Sequence, residues 1–435
     1  MPKALCTAGV YLLIALSLCG VLPLWLDEIL QLIDTRTGST GQLLQVLPTH
    51  HPGGAPLGYL PQHFLLKVTG YSPFAARLPS AVFAAASVLV VALLAKQCCL
   101  RHWWLAAALF GACPIVLRYS AEGRMYSQAL FLSALSSYLY LRLTREPRIT
   151  TATAYCGCLV LTIYTQPYAA SVAAAHLLWS VGQRRHRAFL LGCLSFLVAL
   201  ASFLPWLQFS SRVWTADLQS DAVHFSASWK TPLMLFRELA GSGYWGSGLL
   251  LFLCGLALAR PSVLRHYGAL LLLLIVIPIC AALGADAVFD YFLAARQILW
   301  VLPAVAVLAA AGIEKSGRTG MTLAALLLTV DVVQAGRYFT APHEDWAAAA
   351  RQISSERACL QAIPASATRC YRFFQPSLDP CRADRPRLVL AVSPYARPQL
   401  VRSELRALAA RGFVEESRLE AGKSLLIRLR RRRHP

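Results

Sequence analysis

Four short stretches of this sequence carry residue types that move protons or hold anions. Asp27 and Glu28 are adjacent and follow directly on an apolar run that ends in Trp25-Leu26. A carboxylate there can take a proton from an attacking hydroxyl within hydrogen-bond reach; an acidic pair at that place can also simply mark a solvated bilayer boundary. The second stretch is Thr49-His50-His51-Pro52-Gly53-Gly54-Ala55-Pro56-Leu57-Gly58-Tyr59. Its prolines and glycines fix a bent backbone, and its histidines can bind a metal or a phosphate, or do neither. Arg77 follows, just before Leu78-Pro79-Ser80. The third stretch, Arg118-Tyr119-Ser120-Ala121-Glu122-Gly123-Arg124-Met125-Tyr126, sets two arginines around a glutamate. That is either a local ion pair or a seat for an anionic headgroup, because guanidinium binds phosphate oxygens in pairs. The fourth places Asp290-Tyr291-Phe292 ahead of Arg296-Gln297. Arg296 there is either a snorkelling anchor or a phosphate ligand.

The elements that hold these stretches are apolar. Of 435 residues, 57% are hydrophobic and 14% charged, and the mean hydropathy is +0.52. A soluble domain carries roughly 25% charged residues. The composition excludes a soluble enzyme, a disordered chain and a disulfide scaffold. Eleven apolar blocks can be read as membrane-crossing helices of about 20 residues: near 5–25, 78–96, 103–118, 125–142, 150–165, 168–183, 188–207, 246–260, 266–284, 296–313 and 319–337. The first block has no small-x-small cleavage site behind it and is expected to stay as an anchor.

The net charge is +20. Nucleic acid is not the expected partner, because many basic residues sit in short loops between apolar blocks. With the N-terminus in the cytoplasm, alternate loops carry Lys96 and Arg101; Arg142, Arg145 and Arg148; Arg184, Arg185 and Arg187; Arg260 and Arg265; Lys315 and Arg318. Positive loops stay inside. The 27–77 loop, the 209–245 loop and everything after about 338 are thereby expected on the outer face. The 27–77 loop, with its short amphipathic stretches, is expected to lie along the membrane surface.

The sequence predicts two domains, a membrane module over 1–338 and a small soluble α/β domain over 339–435. The last 95 residues hold 18 Lys+Arg and 9 Asp+Glu and no long apolar block. Helices are expected over 343–357 and 399–411, and strands over 387–392 and 424–429. Most of the 13 cysteines lie in apolar blocks as small hydrophobes. Cys359, Cys370 and Cys381 lie in the polar tail, where two can pair if it is exported. The Arg430–Arg433 run can touch anionic lipid.

Taken together, the motifs resemble the GT-C glycosyltransferase superfamily, in the branch of protein O-mannosyltransferases and bacterial aminoarabinose transferases. Members carry an acidic pair after helix one, matched by Asp27-Glu28. Their H-P-P-L-like segment is matched by His51-Pro52 through Pro56-Leu57, here opened by Gly53-Gly54-Ala55. The A-x-R-L-P-S entry to helix two is matched by Ala76 to Ser80, and the outer loop by Arg118 to Tyr126. Tyr164-Thr165-Gln166-Pro167-Tyr168 is similar to the family's Y-T-H-Y-Y, with Gln in place of His. The Arg296 segment running into Pro303 and Gly312 fits, as does Glu344-Asp345-Trp346 at the start of the tail.

The resemblance implies a polytopic α-helical membrane enzyme of about eleven spans in a bacterial inner membrane, with an extracytoplasmic C-terminal domain. It would move a hexosyl or pentosyl group from a polyprenyl phosphate to a hydroxyl of a lipid, glycan or protein, with inversion. Asp27 would be the base and Glu28 would orient it or hold the acceptor. Arg118, Arg124 and Arg296 would hold the donor phosphate, while His51, Tyr59, Arg77, Glu122, Tyr126 and Tyr164 would position substrate. No recognised metal-ligand spacing links His50, His51 and Asp27, so no metal cofactor is expected. A transporter of lipid-linked sugars, or a polysaccharide ligase with a diphosphate-linked donor, is the alternative.

Overall fold

The computed structural model describes residues 2–432 apart from 52, 184, 213–229, 260–266, 290–293, 357, 379–386 and 395. Pro52, Arg184, Arg260, Arg265, Asp290, Tyr291, Phe292, Cys381 and Arg433 therefore lie outside the described residues. The chain divides into two compact units, one built on the described parts of 1–20 and 35–339, the other on 21–34 and 340–435.

In chain order the helices are α1 (Pro2–Leu18), α2 (Leu26–Thr35), α3 (Thr40–His50), α4 (Leu60–Thr69), α5 (Pro73–Gln97), α6 (Trp103–Ala112), α7 (Pro114–Ser120), α8 (Tyr126–Arg145), α9 (Ile149–Thr165), α10 (Ser171–Gly182), α11 (His186–Ser211), α12 (Thr231–Ala240), α13 (Gly243–Ala259), α14 (Gly268–Phe289), α15 (Leu302–Lys315) and α16 (Gly317–Thr340). Each of the eleven apolar blocks overlaps a helix or a bent pair of helices among the described residues. Among the described residues, five helices are long and apolar enough to cross a membrane. Two bent pairs qualify if each is counted as one span: α6 with α7, bent by 66°, and α12 with α13, bent by 95°.

The bend at Pro114 interrupts the expected straight block 103–118, and α12 lies in the stretch 209–245 that was read as a loop. Pro114 has no N–H to give to the preceding turn, and Cys113 before it is extended at φ −55°, ψ 122°, as a residue before proline tends to be. Gly241, at φ +67°, ends α12 in the left-handed region, which glycine enters without a Cβ penalty. The helix of the first block also stops early, at Leu18, well short of the end of the apolar run at Trp25-Leu26.

The expected surface loop of 27–77 holds three short helices. Ser39 caps α3, accepting the Gln42 N–H, while Gln42 reaches back to the Ser39 N–H. That is the reciprocal capping box, which satisfies two orphan donors at once.

In the second unit, α17 (Trp346–Ser355), β1 (Cys359–Ile363), α18 (Thr368–Phe374), β2 (Arg387–Val392), α19 (Pro398–Ala410), β3 (Phe413–Ala421) and β4 (Ser424–Arg431) follow α2. The sheet order is β1-β2-β4-β3. β1 pairs parallel to β2, and the other pairings are antiparallel. β2 is buried on both faces except at Arg387. The expected helices and strands of the tail are all present. β1 and β3 were not expected: β1 is only five residues long, and β3 is a charged edge strand whose Glu and Arg face solvent. Cys359 is disulfide-bonded and Cys370 is a free, buried thiol, held up at about 12 by burial.

Candidate functional site

In the first unit the Arg118–Tyr126 loop closes into a knot. Arg118 Nε donates to Glu122 Oε1 at 2.7 Å, and Glu122 is 3% exposed. The Tyr338 hydroxyl reaches the same oxygen at 3.4 Å. The Arg118 guanidinium lies over both the Tyr119 and Tyr338 rings, 5.2 and 5.1 Å from their centroids. Arg124 lies over Tyr126 at 5.7 Å, and Tyr126 meets Tyr119 edge-on at 5.0 Å. The charges of Arg118, Glu122 and Arg296 all bear on the Tyr119 phenol. The ion-pair reading of Arg118 and Glu122 is thus present as geometry.

Side chains from neighbouring segments hold the backbone of the loop. The Gln62 amide donates to Ala76 O at 2.8 Å and to Gly123 O at 3.1 Å, and its oxygen accepts from Thr35 Oγ1 at 2.8 Å. Ser80 Oγ donates to Arg124 O at 3.0 Å and Ser127 Oγ to Tyr119 O at 2.9 Å. Arg296 lies in a tight helical turn over Ala295–Val301. Gln297 fixes that turn, giving its N–H to Ala294 O and accepting the Ala294 N–H on Oε1 at 3.1 Å.

The histidine segment packs beside the knot. The His51 ring meets the Tyr59 ring at a tilt of 42°, centroids 5.0 Å apart, and Trp206 Nε1 donates to Gly54 O at 3.1 Å. A Cβ on Gly54 would meet His51 O at 2.8 Å, and one on Gly58 would meet Met125 Cβ at 2.9 Å. The backbone turn Pro56–Gly58 therefore lies directly against the arginine loop. It also walls an apolar groove of about 480 Å³, lined by Leu44, Pro56, Leu57, Tyr164, Pro205 and Trp206 among others. Tyr164 turns its hydroxyl away to Ser202 O at 2.5 Å.

Arg77 sits in the first turns of α5. It is 1% exposed and donates to Cys19 O at 2.9 Å, at the end of α1. Among the described residues no three His, Cys, Asp or Glu side chains gather as a metal-binding group, so His50 and His51 are not joined there by a third ligand.

Asp27 and Glu28 lie in the second unit, in the first turn of α2, where carboxylates suit the positive end of the helix. Glu28 is fully buried and accepts the Trp25 N–H at 3.4 Å, as a capping glutamate does. Asp27 is half-buried. Glu344 Oε2 accepts both the Leu26 N–H at 3.2 Å and Trp346 Nε1 at 2.9 Å. The Cys370 thiol feels the charges of Glu344 and Asp27.

Two participants, Tyr338 and Gln62, escaped the sequence reading. Tyr338 lies at the end of an apolar helix, where aromatic residues usually read as interfacial. Gln62 carries no motif. Glu344 was placed only by the family pattern, which says nothing of its hold on Leu26.

Residues 50–209 match the family model of dolichyl-phosphate-mannose-protein mannosyltransferases. The fold is similar to that of ArnT from Cupriavidus metallidurans. The structure of that protein bound to undecaprenyl phosphate aligns at a TM-score of 0.63, with 12% identity over 97% of each chain. Its apo structure aligns at 0.64 with the same identity and coverage. No curated protein sequence matches the chain. The family model over residues 50–209 and the similar fold over nearly the whole chain both support the resemblance to the GT-C superfamily of membrane glycosyltransferases.

Proposed function

We propose that this protein transfers a sugar from a polyprenyl-phosphate donor to an acceptor hydroxyl at the outer face of a bacterial inner membrane, inverting the anomeric carbon. The observation that carries this reading is the union of a cationic knot with an apolar groove. Gly58 touches Met125, Pro56 and Leu57 wall the groove, and Arg124 and Tyr126 flank Met125. A lipid phosphate needs that pairing of a charged seat for its head and an apolar wall for its tail. The binding of undecaprenyl phosphate by ArnT, a protein of similar fold, supports the same donor class.

In the proposed reaction Asp27 accepts the proton of the acceptor hydroxyl while that oxygen bonds to the anomeric carbon. The bond from that carbon to the phosphate oxygen breaks, and polyprenyl phosphate leaves with the electron pair. Arg118, Arg124 and Arg296 stabilise the charge that grows on the leaving phosphate. Arg118 is already tethered to Glu122, so its guanidinium arrives oriented, with no reorganisation left for the reaction to supply. Glu28 fixes the first turn of α2 and with it the direction of Asp27. Eleven spans, a cytoplasmic N-terminus and an extracytoplasmic tail complete the reading. The disulfide-bonded Cys359 supports the tail's oxidising location.

The test supplies purified protein in nanodiscs with a polyprenyl-phosphate sugar and an acceptor, and measures release of free polyprenyl phosphate. Asp27→Asn is expected to abolish turnover without weakening undecaprenyl phosphate binding. Equal turnover in both proteins would remove Asp27 as the base. Donor that crosses leaflets in proteoliposomes without being consumed would replace the transferase by a transporter.

A further inference from the structure

The two bent spans of the first unit meet each other, and a carboxylate joins them. Gly241, at the α12–α13 break, packs on the α6–α7 break: a Cβ there would lie 3.0 Å from Pro114 Cβ and 3.1 Å from Ile115 N. The Cys113 thiol points across the same junction to Ala240 O at 3.4 Å and Leu239 O at 3.7 Å. Ser242 Oγ hydrogen-bonds to Ala240 O at 2.9 Å and to Asp331 Oδ1. Asp331 projects from the unbroken α16 and is 4% exposed. With Cys113 and Ser242 it lines a small internal cavity closed otherwise by apolar side chains such as Phe110 and Leu327. A carboxyl buried within a membrane-spanning helix is costly and marks a functional role by default.

The far end of α7 is tied to the same helix. Tyr338 follows Asp331 by seven residues, two helical turns on one face and roughly 10 Å along the axis. It meets Arg118 and Glu122, at and just beyond the end of α7. α7 is thus held at both ends from α16, by Asp331 through Ser242 and the Ala240–Cys113 contact at its start, and by Tyr338 at its finish.

We propose that Asp331 is a positioning residue for the phosphate-binding arginine. It holds α7, and so Arg118 and Glu122, in the orientation of the site by clamping the two helix breaks through Ser242. The role of Arg118 rests on the transferase reading above; the clamp itself does not.

The experiment reads the clamp without turnover. The alkylation rates of the native Cys113 thiol and of a thiol introduced at the far end of α7 by Ser120→Cys are followed with N-ethylmaleimide, by peptide mass mapping. Ser120 is fully buried. Asp331→Leu is expected to raise both rates at least tenfold. Asp331→Asn, which still bonds to Ser242, restores protection at both. Ser242→Ala behaves like Asp331→Leu and replaces it as the deciding variant should the latter not fold. Unchanged protection in the deciding variant overturns the clamp, and so does exposure at Cys113 alone. In parallel, kcat/KM for a polyprenyl-phosphate sugar falls about tenfold in the clamp-less variant and recovers in Asp331→Asn. Full turnover with both thiols exposed refutes the positioning role. A wild-type protein with no transferase activity but the expected alkylation pattern upholds the clamp and removes only the assigned reaction.

Discussion

The Glu344 carboxylate accepts the backbone N–H of Leu26, the residue immediately before Asp27. The same oxygen is held by the Trp346 indole, so the start of α2 is anchored to a carboxylate that is itself fixed. Glu344→Ala leaves both donors without this acceptor, a loss worth about 1–3 kcal/mol, read as a lower melting temperature. In the transferase assay it should cut kcat tenfold or more while leaving undecaprenyl phosphate affinity intact. Glu344→Gln, which keeps a carbonyl oxygen, should recover most of both.

Arg124 and Arg296 serve as the sharpest probes of the proposed donor seat. Alanine at either is expected to slow turnover by roughly a hundredfold, the usual effect of losing one charge-stabilising donor. Undecaprenyl phosphate binding, measured by calorimetry or native mass spectrometry, should weaken in step. Lysine should rescue only part of it, because an ammonium cannot form the paired bonds of a guanidinium. Normal binding in both alanine variants would move the seat elsewhere.

Chelation provides a separate check. Turnover is expected to be the same with and without EDTA, since the proposed stabilisation comes from guanidinium groups. Activity lost to the chelator and restored by a single divalent metal would contradict this.

The second unit should respond to acid through Glu356. Burial raises its pKa, but hydrogen bonds from Arg428 at 2.6 Å and Gln352 at 3.0 Å, with the Arg428 charge, outweigh burial and leave it lowered. A folded pKa below the unfolded one gives stability that is complete above the unfolded value of about 4.3 and is lost as pH falls through the folded value. The pair is partly solvated, so its worth is under about 1 kcal/mol. Glu356→Gln should therefore lower the melting temperature slightly at neutral pH and make no difference at strongly acidic pH.

Gly312 tests the packing of the spans. A Cβ there would overlap the Leu253 carbonyl oxygen and crowd Ala257 N, both backbone atoms of α13 that no rotamer can move. Gly312→Ala must push α13 from α15 and is expected to cost about 1–3 kcal/mol. Thermal scattering in detergent would show it; Gly157→Ala, with nothing near its Cβ, is the control.

The helical blocks were legible because lipid demands long apolar runs and leaves few other ways to satisfy a backbone. The bends at Pro114 and Gly241 were not, since each depends on a partner: Pro114 packs against Gly241 and their junction is closed by Asp331, far along the chain. Motif order singled out Arg118 and Arg124, whose guanidinium groups lie over the contacting pair Tyr119 and Tyr126, and Glu122, which pairs with Arg118. It also singled out Arg77, which is buried and donates to the Cys19 carbonyl. Tyr338 and Gln62 stayed hidden because nothing in a one-dimensional pattern marks a side chain whose role is to meet a distant loop. β3 escaped for a different reason: an edge strand exposed on most positions carries no alternation to read.

Gln62 shows how narrowly one position can be specified. Its two amide protons face the carbonyls of Ala76 and Gly123, while its oxygen faces the Thr35 hydroxyl. Glutamate, identical in outline, would set lone pairs against lone pairs on one side, and leucine would strand all three partners. Shape, polarity and orientation of the amide are all prescribed at once, so neither glutamate nor leucine can replace it without losing partners.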